Sequence, residues 1–252
     1  MIAGIFHEGS GLGNQLHRYV MTRVLALDKE TDFGMVNPEK FKGAGFMKLD
    51  MGKFVDFLEG NHYEFTEKKV LNDEENDIRG YDDLVWTIIS TPHLHTLIDG
   101  EFQGEDYYKH RLSNINQWLQ VEPLDMPDDL CVIGFRGGEY VGVRDLFLPH
   151  SYWATAIQHM KNLHPGIRFE VHTDDVVTAK EFFPDFECIH DIGLNWRSVR
   201  CAKHLIIANS SFYILPSLLG PAKEILAPHF WAGRNKGYWQ LEQNQYNRFT
   251  YL

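Results

Sequence analysis

Three short polar turns carry the residue types of an anion site. Gly134-Phe-Arg-Gly-Gly-Glu-Tyr140 follows the apolar run Leu130-Cys-Val-Ile133. Thr173-Asp-Asp175 follows Arg168-Phe-Glu-Val-His172. Asn209-Ser-Ser-Phe212 follows Leu205-Ile-Ile-Ala208. Where a buried strand breaks into a helix, free backbone N–H groups and the positive end of the helix dipole face the turn and favour a phosphate there. Arg136 adds a planar fork of donors that matches phosphate oxygens, and Ser210 and Ser211 add hydroxyls at a helix start. The chemistry implied is a grip on a diphosphate and the stabilisation of charge on a departing phosphate. A fourth stretch, His7-Glu-Gly-Ser-Gly-Leu-Gly-Asn-Gln15, is rich in glycine, which lets a ligand approach the backbone closely. It lacks the third glycine of G-x-G-x-x-G, having Asn14 there, so a nicotinamide-binding loop is set aside. Asn14 and Gln15 also suit capping of the following helix.

The elements that must position these turns alternate strand and helix, which makes the class α/β. Residues 2–6 read as a strand, 7–13 as a glycine loop and 14–29 as a helix with a 3.6-residue apolar period. The run 84–89 is a further strand candidate, 72–83 an acidic loop, and 114–119 a helix. His93 and His95, two apart on a strand-like run, read as structural. Beyond the acidic, proline-bearing stretch 123–129, an interdomain linker by composition, strands are expected at 130–135, 168–172, 188–190, 205–208 and 224–227. Helices are expected at 152–162, 176–183, 196–203 and 212–219. Repeated βα units predict parallel sheets with ligands at the carboxyl ends of the strands. The expected domains are 1–125 and 126–252.

Composition narrows the partners. With 252 residues, 44% of them hydrophobic and 23% charged, the chain can bury a full core. Its formal net charge of -11 argues against nucleic acid or an anionic membrane as partner, because phosphate backbones are held by basic surfaces. Cys131, Cys188 and Cys201 are odd in number and form no C-x-x-C, so free thiols and a reducing compartment are expected, cytoplasmic in a bacterial or viral setting unless a native anchor is missing from the sequence. No run approaches the roughly 20 apolar residues of a membrane span.

At this point the chain resembles a family, the α-1,2-fucosyltransferases and related GDP-fucose enzymes. Gly11-Leu-Gly-Asn-Gln15 with Tyr19 and Ala26 is similar to their G-G-L-G-N-Q-x-x-x-Y opening. Asp99-Gly-Glu-Phe-Gln-Gly-Glu-Asp-Tyr-Tyr108 resembles G-Y-F-Q-S-E-x-Y-F, and Gly134 to Tyr140 stands where the family has H-x-R-R-G-D-Y. Ser151-Tyr-Trp-Ala-Thr-Ala-Ile157, Phe169 to Asp175 and Cys201 to Phe212 resemble Y-Y-x-x-A-I, F-x-x-F-S-D-D and C-x-H-x-I-I-A-N-S-S-F. The chain departs from the pattern at Gly134 for the histidine, Gly137 for the second arginine, Glu139 for the aspartate, and Tyr213-Ile-Leu215 for the family's S-W-W.

The resemblance implies a GT-B fold of two facing Rossmann-like domains, an N-terminal acceptor-side domain and a C-terminal donor domain. It implies inverting transfer of fucose from GDP-fucose to a glycan hydroxyl without a metal, and no D-x-D occurs in the sequence. The donor residues are expected to be Gly11, Gly13, Asn14, Gln15, Arg136, Asp174, Asp175, Asn209, Ser210, Ser211 and Phe212. Asp174 or Asp175 either accepts the paired N–H donors of guanine or caps a turn. Arg136 is expected on the diphosphate, and the base that deprotonates the acceptor is one of His7, Glu8 and Glu139. A sibling enzyme with another GDP-sugar and a non-catalytic sugar-nucleotide or glycan-binding module are the alternatives.

Overall fold

The computed structural model describes residues 1–55, 63–66, 95–229 and 248–252, with only the backbone of 63–66 and of residue 106. The strand candidate at 84–89, the acidic loop at 72–83 and His93 lie outside these residues. The chain divides into two compact units, Met1–Gln120 and Val121–Leu252. Among the described residues no helix is long and apolar enough to cross a membrane.

The first unit holds a four-stranded parallel sheet in the order β2-β1-β4-β3. Its strands are β1 (Ile2–Ile5), β2 (Phe33–Val36), β3 (Tyr63–Thr66) and β4 (Thr96–Asp99). β1 pairs Ile2 with Phe33 on one side and with Thr96 on the other. Helix α1 (Leu12–Asp28) lies on β1 so closely that a Cβ at Gly4 would collide with the Thr22 hydroxyl. That contact explains a glycine inside an otherwise apolar strand. α1 begins two residues before the expected start, with Gly11 as its N-cap and no side-chain cap bond. Asn14 therefore sits inside the first turn and does not cap it. Arg23 on α1 lies over the rings of Phe33 and Trp118, the latter at 4.3 Å, tying in helix α2 (Leu112–Trp118).

The second unit holds a six-stranded parallel sheet in the order β10-β9-β8-β5-β6-β7. Its strands are β5 (Leu130–Phe135), β6 (Arg168–Thr173), β7 (Glu187–Ile189), β8 (His204–Ile207), β9 (Glu224–Ala227) and β10 (Phe249–Tyr251). Every residue of β5 is buried, so both faces of the sheet are covered at its centre. Its helices are α3 (His150–Leu163), α4 (Val176–Phe182), α5 (Ile192–Cys201) and α6 (Ser211–Leu219). α5 starts four residues before the expected 196, because Asp191 caps it by accepting the Leu194 N–H at 2.6 Å. The core joins β5, β6, β8 and β9 to Tyr152, Trp153, Ala156, Met160, Phe183 and Tyr213.

The proline-bearing stretch is laid onto the second unit. Glu122 O accepts from Arg197 Nε at 2.8 Å, Leu124 N–H donates to Cys201 Sγ, and Asp129 holds Arg168 with two 2.9 Å bonds. All three cysteines are free, with Cys131 buried and its thiol pushed up by burial.

Candidate functional site

In the second unit β6, β5 and β8 are neighbours, and the three polar turns follow their carboxyl ends. The chain order reverses between β5 and β8, the switch point where open parallel sheets bind ligands. The loop after β5 is clamped by the loop after β6. Asp174 Oδ1 accepts the Gly137 N–H at 2.9 Å, and Asp175 Oδ2 accepts the Gly138 N–H at 3.2 Å. The approach is so close that a Cβ at Gly137 would lie 2.7 Å from Asp175 Cβ, and one at Gly138 would lie 2.6 Å from Asp174 Oδ2. Gly138 also sits at φ +45°, a conformation that favours glycine. The glycine that replaces the family's second arginine is therefore demanded by this loop path.

Arg136 projects from the clamped loop. Its two terminal nitrogens meet Asp174 Oδ2 at 2.5 Å and Glu139 Oε1 at 2.6 Å, and its guanidinium lies 5.1 Å from the Tyr140 ring centre. Burial works against the charge, but Asp174, then Tyr140 and Glu139, outweigh it and raise the arginine's pKa. The two partners differ in exposure: the Asp174 side chain is 29% exposed and that of Glu139 76%. Asp174 is thus the more sheltered partner of Arg136 and Glu139 the more exposed one. Asp175 caps α4 through Thr178, whose hydroxyl and amide hold its carboxyl below the ordinary range. Asp174 and Asp175 both brace the loop, their oxygens meeting the Gly137 and Gly138 N–H groups, Arg136 and the Thr178 N–H.

The turn after β8 divides its roles. Asn209 is 3% exposed and its amide donates to Leu146 O at 2.9 Å, which braces the loop before α3. Ser210 caps α6, its Oγ accepting the Phe212 N–H. Ser211 and Phe212 are half-buried at the first positions of that helix. Behind them the Tyr213 ring fills the space beside Gly134. A Cβ at 134 would stand 2.7–2.9 Å from three ring atoms, and the Tyr213 hydroxyl reaches Phe135 O at 3.0 Å and His172 O at 3.2 Å. Gly134 and Tyr213, two departures from the family pattern, are one packing solution.

The first unit carries the other expected residues on its own sheet. His7 Nε2 lies 2.8 Å from Asp99 Oδ2, and Arg18 Nε lies 3.1 Å from Asp99 Oδ1. Arg18 also donates to Ser10 Oγ at 3.2 Å, pinning the glycine loop. Glu8 is 90% exposed, with Lys40 at 3.8 Å. Gly11 has open space around it, Gly13 is buried in the first turn of α1, and Asn14 Oδ1 accepts from Gln103 at 3.2 Å. Gln15 is fully buried, donating to Lys40 O at 2.8 Å and accepting the Lys42 N–H at 2.9 Å. That makes Gln15 a strut for the segment after β2. Asp99, Arg18 and Gln103 were not singled out from the sequence, although Asp99 opens the quoted Asp99-Gly-Glu segment and Gln103 lies within it.

No family model matches the sequence, and no curated protein matches it. Solved structures do match. Over 88% of this chain and 93% of its own, the structure of NodZ α-1,6-fucosyltransferase crystallised with GDP superposes with a TM-score of 0.54 at 11% identity. The same enzyme soaked with GDP-fucose gives 0.54 at 11% identity, over 92% of this chain and 96% of its own. The NodZ fucosyltransferase from Bradyrhizobium gives 0.51, over 88% and 94% at the same identity. The fold is similar to that of NodZ. At such identity the likeness is one of fold.

Proposed function

We propose that this protein is a glycosyltransferase that moves fucose from GDP-fucose to a hydroxyl of a glycan, with inversion and without a metal. We further propose a GT-B type arrangement, with the second unit on the donor and the first on the acceptor. The observation that carries the reading is the clamped Arg136 at the switch point of the second sheet, oriented by Asp174 and with an exposed partner in Glu139. A guanidinium held before the ligand arrives loses little freedom on binding and stabilises charge as it develops on the leaving phosphate. On this reading Ser211 and the first amides of α6, which follows the neighbouring strand β8, would supply further donors. The motif resemblance is to α-1,2 enzymes and the fold likeness to an enzyme described as α-1,6; what the two share is GDP-fucose as donor.

The test is a melting experiment followed by turnover. GDP at about 100 times its Kd should stabilise the protein by about 2.7 kcal/mol and raise Tm by roughly 5–10 °C, with UDP giving much less. GDP release from GDP-fucose should survive EDTA. No shift with GDP, or a strict need for manganese, refutes the proposal. Binding of GDP without release from GDP-fucose or GDP-mannose points to a binding module instead.

A further inference from the structure

We propose that His172 is held as a buried imidazolium at the base of the Thr173–Asp175 turn and acts as a positioning residue for the Arg136 loop; as a role in donor binding, the inference rests on the glycosyltransferase reading above. His172 is fully buried in β6, in register with Gly134 of β5 and Ile189 of β7. Its Nδ1 lies 2.9 Å from Asn195 Oδ1, and its Nε2 lies 2.7 Å from Glu170 Oε1. Neither partner donates there. An ionised carboxylate only accepts, and the His172 hydrogen bond holds the Glu170 carboxyl below its ordinary range. The Asn195 amide is oriented by its other end, where Nδ2 donates to Thr173 O at 3.0 Å. Reversing it would set two oxygens against each other. Both ring nitrogens therefore carry hydrogen, and an imidazole ring with two N–H groups is charged. Glu170 pairs that charge and Asn195 accepts its second hydrogen, which is what a buried cation requires. The other groups set against it leave this unchanged. Gly134 and Ile189 carry no charge, and α6 presents the Tyr213 hydroxyl to His172 O at 3.2 Å, its pKa pushed up by burial. Along β6, Arg168 acts on Glu170. The pattern F-x-x-F-S-D-D has phenylalanine where this chain has His172, a ring with no N–H to donate.

A relay leads from the imidazolium to the candidate site. Asn195, 5% exposed on α5, joins His172 to Thr173 O. Thr173 Oγ1 accepts the Asp175 N–H at 2.9 Å, which shapes the turn. Asp174 then accepts the Gly137 N–H at 2.9 Å and meets Arg136 at 2.5 Å. A neutral imidazole has one N–H and serves one acceptor. Losing the second hydrogen would strand the buried Asn195 oxygen and free the amide that holds the turn.

The experiment uses the full chain, labelled with an NMR-active nitrogen isotope. In the wild type both ring nitrogens of His172 should resonate as protonated at about pH 7.5, above the ordinary histidine value of about 6.5. One bare nitrogen at that pH overturns the imidazolium. Glu170→Gln, at the partly exposed end of the pair, should bare one nitrogen there. Asn195→Asp keeps an acceptor for Nδ1 but sets an oxygen against Thr173 O. Both variants should speed hydrogen exchange of the Gly137 amide by about 10-fold, with Val132 and Ile133 unchanged. Both should raise the Kd for GDP by about 3–10-fold. Should Asn195→Asp fail to fold, Glu170→Gln carries the same comparison. Unchanged Gly137 exchange in a folded variant overturns the positioning role. Faster exchange in a protein that binds no GDP upholds the positioning of the turn and refutes the donor reading. Equal GDP affinity in wild type and variants overturns the role in donor binding and leaves the transferase reading standing.

Discussion

Gly134→Ala tests whether the Gly134–Tyr213 pairing is a single packing unit. The added methyl would stand 2.7, 2.8 and 2.9 Å from Tyr213 Cε1, Cδ1 and Cζ. Carbon atoms rest at about 3.5–4.0 Å, so the ring must retreat by roughly 1 Å. It has little room, since Tyr213 is 3% exposed. Such a shift also pulls the hydroxyl away from Phe135 O and His172 O, now at 3.0 and 3.2 Å. Overpacking costs about 1–3 kcal/mol and a lost hydrogen bond about 0.5–1.5 kcal/mol. The sum expected for Gly134→Ala is about 2–4 kcal/mol. In a Tyr213→Leu background the ring is absent, and the same methyl should cost less than about 1 kcal/mol. The assay is urea unfolding of the four proteins of this cycle, followed by circular dichroism. Equal costs of Gly134→Ala in both backgrounds would refute the argument, and with it the claim that the two motif departures are linked.

Three further outcomes are expected. Arg136→Lys keeps the charge but loses the fork, and should cut GDP release from GDP-fucose by about 10²–10³-fold with the fold intact; near-wild-type kinetics would take Arg136 out of the mechanism. Gln15→Ala should destabilise by about 2–4 kcal/mol by stranding the Lys42 N–H and Lys40 O, without weakening GDP binding per folded molecule, a split that melting and titration together can check. Stability should fall in acid. The His172 hydrogen bond holds the Glu170 carboxyl below its ordinary 4.5, against burial, and Thr178 holds that of Asp175 below 3.8. Depressed carboxyl values contribute stability that is present above the ordinary value and lost as pH falls through the folded one. The urea midpoint should therefore drop below about pH 4, and Glu170→Gln should flatten part of that drop.

The second unit was largely legible because its central strands are short apolar runs bounded by polar turns. β5, β6, β8 and β9 lie within a residue or two of their expected places. Helix starts were less so: α1, α2 and α3 each begin two residues before their expected places, and α5 four. The Asp191 cap of α5 lies outside the apolar run that marked the helix, and Gly11 caps α1 with no side-chain bond to announce it. β2 and β10 are four and three residues long and escape a period-based reading. The turn residues Arg136, Asp174 and Asp175 were readable as a group, but their division of labour was not, because a clamp and a ligand contact use the same carboxylates. Asp99 stood 92 positions from His7, a pairing set by parallel strands and invisible to local spacing.

The place of β5 has a consequence for how the second unit is made. β5 is the first strand of that unit in the chain, yet it lies between β6 and β8, which arrive later. Cys131 finds Phe169 on one side and His204 on the other. As the chain emerges from a ribosome, the Leu130–Phe135 run must wait with both edges bare, first for β6 and then for β8. Bare apolar edges recruit other strands, and non-local parallel pairing is slow. The half-made chain is thus most prone to aggregate between the synthesis of residues 135 and 204. Slower synthesis at lower temperature, or a chaperone that shields this one run, should raise the yield of folded protein more than any change to its finished surface.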